Sequence, residues 1–112
     1  MDNSTQYYYK SRAEIFKALA HPTRLFIVEE LAKGKKCVCE ITEMLDCDIS
    51  TVSKHLSILK NAGIVKDDKK GLQVFYSLKL CCVLDFFSCV DSLICGLSKE
   101  RAESIEKVNN GH

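Results

Sequence analysis

The sequence holds no run of about 18 apolar residues, which excludes a membrane-spanning helix. Its opening stretch, MDNSTQYYYKSR, has no apolar core and is not expected to act as a secretory signal. A cytoplasmic protein that does not engage a membrane is the expectation. There is no C-x-x-C pair, no phosphate-cradling loop and no acid–base constellation, so an enzyme is not expected. Neither sign of charge dominates: 16 Lys and Arg stand against 15 Asp and Glu, a net charge of +1. Bulk charge therefore does not announce a nucleic-acid partner. The cysteine count is odd, at seven, which argues against a closed disulfide framework. In a reducing compartment, clustered thiols point to metal or redox chemistry instead.

A hydrophobic content of 46% and a charged content of 28% describe a folded chain. At 112 residues it is one domain or one subunit of a small oligomer. Charge is distributed unevenly. Lys54, Lys60, Lys66, Lys69, Lys70 and Lys79 face only Asp67 and Asp68 between residues 50 and 79. Glu29, Glu30, Glu40 and Glu43 lie outside that region. A basic half suits a polyanion-binding face on a nearly neutral protein.

The central stretch is Asp48 to Val65, DISTVSKHLSILKNAGIV. Ile49, Val52, Leu56 and Leu59 recur as one apolar stripe of a helix. Asp48 or Ser50 can cap its start, and Gly63 is a left-handed stop. Ser50, Thr51, Ser53, Lys54, Ser57 and Lys60 point away from the stripe, with no carboxylate among them. Hydroxyls and ammonium groups are what phosphates and base edges accept. An ordinary amphipathic helix with a Ser-rich outside has the same pattern.

Elsewhere, residues 1–10 are expected to form a flexible arm, with Tyr7, Tyr8 and Tyr9 free to pack on a partner. A helix is expected from Ser11, with Ile15, Phe16, Ala18 and Leu19 inward, ending before His21-Pro22. Pro22 suits the first turn of the next helix, which carries Leu25, Phe26, Ile27, Val28 and Leu31 and stops at Gly34. His21 is expected to cap or pack. After the basic loop Gly34-Lys35-Lys36, Val38, Ile41 and Leu45 mark a short helix. The link Asp46 to Asp48 is short enough to set two helices at a steep angle, as in a helix-turn-helix. Beyond Gly63, a polar turn from Asp67 to Gly71 and the run Leu72–Leu78 predict a β-hairpin with Lys69 and Lys70 at its tip. A last helix is expected from about Leu80 to Val108. Its apolar face (Val83, Phe86, Phe87, Val90, Leu93, Ile94, Leu97) is too long for a small domain to cover alone, which predicts a dimer. Residues 109–112 are expected to fray. The fold class is thus mainly α with a small β-hairpin: a winged helix-turn-helix in the order α-α-α-α-β-β-α over residues 11–108.

On this order, the sequence resembles the ArsR/SmtB family of metal- or stress-responsive repressors. The resemblance rests on KALAHPTRLFIVEEL (17–31), KCVCEI (36–41), STVSKHLSILKNAGIV (50–65) and GLQVFYSL (71–78). It implies a homodimer through the first and last helices, bound to a palindromic double-stranded operator with two recognition helices in successive major grooves. It also implies release of DNA by an inducer. Carried onto this chain, Ser50, Thr51, Ser53, Lys54 and His55 hold DNA-facing positions. Ser57, Lys60, Lys69, Lys70 and Gln73 complete the expected DNA face. His55 borders the apolar stripe, so packing and DNA contact both stay open for it.

Cys37-Val38-Cys39 matches the arsenic, cadmium and lead sensors of this family in motif and place. No permanent cofactor is implied. The inducer expected is As(III), Sb(III) or an organoarsenical, with Cd(II), Pb(II) or Zn(II) as alternatives; thiolates are soft ligands that suit these ions. The arsenic-type motif continues with a third cysteine where this chain has Thr42, and residues 1–36 contain no cysteine. Cys47 or a cysteine of the last helix must then complete the site. Residues i and i+2 of an ideal helix point about 200° apart. Two thiolates sharing an ion sit roughly 4 Å apart, so the pair can chelate only if the start of its helix is extended. Cys82 and Cys89 are candidates for a second or alternative site, on one face of the last helix but roughly 10 Å apart along its axis, so they cannot share one ion without outside help. Antiparallel pairing in a dimer can bring Cys82 toward a partner's Cys89 or Cys95. The zinc site of the family is absent, since its positions are Leu80, Cys82, Leu93 and Gly96 here. A redox or reactive-sulfur sensor, working through Cys81, Cys82 and Cys95, is the other reading. Buried cysteines that simply pack are the plain alternative.

Overall fold

Side-chain caps set the starts of three helices in this chain, those beginning at Asn3, Pro22 and Ile49. The computed structural model describes the backbone of residues 1–110 and the side chains of residues 1–101. It divides into two units, Met1–Cys81 and a second beginning at Cys82. In the first unit, α1 (Asn3–Leu19) starts at Asp2, whose carboxylate accepts the Thr5 N–H at 2.7 Å. The residues expected as a loose arm are therefore helical from Asn3 on. Asp2 supplies an N-cap there, and Arg12 reaches back one turn to the Tyr8 hydroxyl. Tyr7, Tyr8 and Tyr9 are exposed.

His21 caps α2 (Pro22–Ala32), as one of its two expected roles required: its Nδ1 accepts the Thr23 N–H at 3.1 Å. Pro22 occupies the first turn, where its missing N–H costs nothing. Ile27, Val28 and Leu31 of α2 are buried, whereas Leu25 is exposed. A strand that the sequence did not announce follows, β1 (Lys36–Cys37), and then α3 (Val38–Met44). Two residues are too few to show an alternating pattern, so β1 is recognisable only through its pairing. The expected hairpin is thus part of a three-stranded antiparallel sheet, ordered β1-β3-β2, with β2 at Val65–Lys70 and β3 at Gln73–Leu78. Lys36 faces Tyr76 and Cys37 faces Phe75 across β1 and β3.

The helix expected to read DNA is α4 (Ile49–Asn61). Asp48 caps it, accepting the Thr51 N–H and the Ser50 hydroxyl, both at 2.9 Å. Three of the four expected stripe residues, Val52, Leu56 and Leu59, are completely buried. Ile49 is the exception at 54% exposure, because it opens the first turn and lies beyond the reach of the core. The helix ends in a complete Schellman arrangement. Gly63 N–H donates to the Lys60 carbonyl at 2.9 Å, and Ile64 N–H to that of Leu59 at 3.0 Å. Leu59 and Ile64 are both buried, the apolar contact that accompanies this motif. Gly63 has φ +80° and open space where a Cβ would stand. Gly63→Ala should therefore cost only the left-handed backbone penalty, about 1–2 kcal/mol, read as a lower midpoint in urea unfolding.

The hairpin is tighter than expected. Asp67 to Lys70 belong to β2, and the turn is only Gly71-Leu72, with Lys70 paired to Gln73. Gly71 at φ +64° takes the first central position, the place a type II′ turn reserves for glycine. Asp67 to Lys70 are polar like a turn because β2 is an exposed edge strand.

In the second unit, α5 (Val83–Asn110) begins three residues later than the expected start at Leu80. Cys82 has φ +63°, a left-handed conformation outside the helix. Such a non-glycine residue costs on the order of 1–3 kcal/mol. Leu84, Val90, Leu93, Ile94 and Leu97 of α5 are exposed. The expected fraying at residues 109–112 falls on side chains, and for 111–112 on backbone, outside the described residues.

Candidate nucleic-acid interface and thiol site

The outward face of α4 presents Ser50, Thr51, Ser53, Lys54, Ser57 and Lys60, all exposed. Not all of them are free to meet a ligand. The hydroxyl of Ser50 is already spent on Asp48. Asp48's carboxyl is held below its ordinary range, chiefly by the hydrogen bonds from Thr51 and then from Ser50. The ammonium of Lys60 pairs with Asp67 of β2 at 2.9 Å. Lys60, expected at a phosphate, thus ties the recognition helix to the wing. Both partners are exposed, so this pair adds little stability. Among the described residues, Ser53, Lys54 and Ser57 have no such side-chain hydrogen bond. On the wing, Lys69, Lys70 and Gln73 are exposed beside the turn.

His55 is half-buried and packs. Its ring centroid lies 4.5 Å from that of His21, at a 44° tilt. Arg24 Nη1 stands 3.4 Å from its Nδ1, while Arg24 Nε donates to the Ala18 carbonyl at 2.6 Å. Arg24 therefore joins the end of α1, the start of α2 and the middle of α4. Sequence reasoning missed it, because 31 residues separate it from His55 and no local pattern links the two.

Burial, and then the neighbouring His21 and Arg24, push the His55 pKa below its ordinary 6.5. The fold thus favours neutral imidazole, and the unfolded chain binds the extra proton. Stability from this group is present above pH 6.5 and is lost as pH falls through the depressed folded value. The melting temperature should therefore fall more between pH 7.5 and 5.5 for the wild type than for His55→Gln. Equal falls would remove His55 as the cause.

The seven cysteines are all free. Cys37 is buried, Cys47 half-buried, and Cys39 exposed. Cys37 sits outside α3 as its N-cap residue, with extended backbone (φ −82°, ψ 162°), while Cys39 lies in the first turn. The expected condition for chelation, an extended start, is met at Cys37 but ends at Val38. Glu40 Oε1 accepts the Cys37 N–H at 3.3 Å. The Cys37 thiol and then its N–H hold the Glu40 carboxyl below its ordinary range. Thr42, at the position of the missing third cysteine, donates its hydroxyl to the Val38 carbonyl at 2.7 Å. Among the described residues, no three His, Cys, Asp or Glu side chains stand together as a metal site, so Cys37, Cys39 and Cys47 are not gathered.

Cys81, Cys82, Cys89 and Cys95 are exposed within the chain rather than packed. Cys81 and Cys82 precede α5, so the expected alignment of Cys82 with Cys89 on one helix face does not occur. The left-handed turn at Cys82 breaks it.

Comparison with known proteins agrees with this architecture. Residues 21–67 match the model of the bacterial regulatory protein, arsR family. The chain is 46% identical over 86 residues to an uncharacterised HTH-type transcriptional regulator of Methanocaldococcus jannaschii, covering 76% of this chain and 97% of that one. It is 35% identical over 95 residues to the arsenical resistance operon repressor of Bacillus subtilis, covering 74% and 90% respectively. Among solved structures, it is similar to a homodimeric winged helix-turn-helix DNA-binding domain from Mycobacterium bovis, a possible ArsR-family regulator. That match has a TM-score of 0.75 at 25% identity and covers 89% of this chain and 93% of the other. With its helix-turn-helix, its wing and these relatives, the chain belongs to the ArsR family of DNA-binding transcriptional regulators, which are not enzymes.

Proposed function

We propose that this chain is a homodimeric repressor whose hold on a palindromic operator is released when a thiophilic ion binds Cys37 and Cys39. As(III) or Sb(III), free or as an organoarsenical, is the preferred inducer. The observation that carries the reading is the state of Cys37. It is at once the last residue of β1 and the cap of α3, buried, and one residue short of the helix. Pulling Cys37 and Cys39 to within about 4 Å of each other requires the first turn of α3 to open. Opening it breaks the Glu40 bond to the Cys37 N–H. α3 packs on α4 and leads into it through Leu45 to Asp48, so the change reaches the recognition helix.

Cys47, in that link, is the third thiol of this reading; its half-burial leaves it able to turn toward the pair. Ser53, Lys54 and Ser57, with Lys69, Lys70 and Gln73 on the wing, carry the DNA contacts. The homodimer is supported by the homodimeric M. bovis domain and by the exposed apolar residues of α5. The B. subtilis relative's role as an arsenical resistance operon repressor supports the inducer class.

A second reading keeps the same DNA face and makes the thiols a redox or reactive-sulfur sensor. It is favoured by the exposure of Cys81, Cys82, Cys89 and Cys95. Fluorescence titration of operator DNA with As(III), Sb(III), Cd(II), Pb(II), Zn(II) and a polysulfide separates the two. Release by the metalloids supports the first reading. Release by polysulfide alone replaces it with the second.

A further inference from the structure

We propose that Lys35, Lys66 and Lys70 form a seat for one DNA backbone phosphate, on the face of the sheet that carries Phe75. The inference rests on the DNA-binding reading and extends the interface to the loop before β1.

The register builds the seat. Cys37 faces Phe75 on β3, and side chains alternate along a strand, which places Lys35 on Phe75's side of the sheet. On the other edge, Lys66 faces Ser77, Asp68 faces Phe75 and Lys70 faces Gln73, in the same alternating set. The side chains meet accordingly. Lys35 Nζ lies 5.8 Å from the centre of the Phe75 ring. Lys35, Lys66, Phe75 and Ser77 line one open cavity of about 370 Å³ together with Asp67, Asp68 and Tyr76.

The charge balance of that cavity favours an anion. Asp67 is already paired with Lys60 at 2.9 Å. Within the cavity, two ammonium groups, Lys35 and Lys66, then face one carboxylate, Asp68, and Lys70 follows on the same face of the sheet, opposite Gln73. Contact with the Lys70 ammonium, and then its charge, makes Lys35 easier to deprotonate than an ordinary lysine, with Asp68 only partly opposing this. Cations gathered on one face of a sheet are relieved by an anion between them. Lysine ammonium groups bind phosphate as point charges. Lys70 is adjacent to Lys69 at the wing tip, so the seat continues the expected DNA face rather than standing apart from it. No local pattern joins Lys35 to Lys66 and Lys70; only the pairing of β1 brings them together.

The test is operator affinity measured against salt for the wild type, Lys35→Met and, as a control for net charge, Lys10→Met on α1. Lys35→Met should lower the slope of log K against log salt by about 1 per protomer. At about 0.15 M salt it should weaken operator and unrelated duplex alike, by roughly fivefold per lost contact. Lys10→Met should leave the slope unchanged, and thermal unfolding should confirm that both variants fold. A Lys35→Met slope equal to that of a DNA-binding wild type overturns the proposal. A wild type with no salt-dependent DNA binding overturns the DNA-binding reading itself, and the seat with it. In a second arm, inorganic phosphate is added to free protein at constant ionic strength while the Phe75 ring resonances are followed. If they shift while the DNA slope of Lys35→Met stays at the wild-type value, the seat serves a free anion and the DNA assignment is wrong.

Discussion

Leu56→Ala should lower the unfolding free energy by about 2–5 kcal/mol, the range for emptying a leucine site in a closed core. Leu56 is completely buried, as are Val52 and Leu59 on the same stripe of α4. That stripe lies against α2, α3 and β2, so the cavity opens where the recognition helix is anchored. In a domain of this size each kcal/mol moves the melting temperature by roughly 4–8 °C. Thermal unfolding should therefore show a drop of at least about 8 °C. Ile49→Ala is the matched comparison. Ile49 belongs to the same sequence stripe but is half exposed, and its replacement should change stability by no more than about 0.5 kcal/mol. Equal losses at the two positions would mean that the core boundary of α4 is drawn in the wrong place.

Cys37→Ser should leave the repressor able to bind its operator while removing its response to As(III). Serine is a good N-cap residue, so the start of α3 and its Glu40 bond survive. What is lost is the soft thiolate. Losing even an outer partner of a metal ligand costs 10–100-fold, so losing a ligand should raise the As(III) needed for half-release by at least about 100-fold. Operator anisotropy against As(III) reads this directly. Cys82→Ser should respond as the wild type does, because Cys82 lies outside α5 in a left-handed turn and out of line with Cys89. The reverse pattern, normal release in Cys37→Ser and none in Cys82→Ser, would move the primary site to the cysteines around α5.

The elements that depend on local chemistry were legible in the sequence. His21-Pro22, the Asp48 cap and Gly63 each announce a boundary by residue type, and each stands where expected. The period of Val52, Leu56 and Leu59 revealed which side of α4 is buried. What escaped depends on partners distant in sequence. β1 is two residues long and exists through its pairing with β3. Arg24 acquires its place from Ala18 and His55, and Lys60 from Asp67. The turn at Cys82 has no glycine or asparagine to announce its left-handed backbone. The proposed thiol site is legible as a motif and not as a geometry: Cys37-Val38-Cys39 points to the place, but the side chains of Cys37, Cys39 and Cys47 are not gathered around one point.

In the proposed mechanism, an ion on Cys37 and Cys39 opens the first turn of α3 and so disturbs α4. Amide hydrogen exchange across residues 37–48, with and without As(III), tests it most directly. Exchange should be faster in the turn after Val38, altered in the link from Leu45 to Asp48, and unchanged at the buried centre of α4. Full release of operator DNA by As(III) with no change in exchange across residues 37–48 would contradict it.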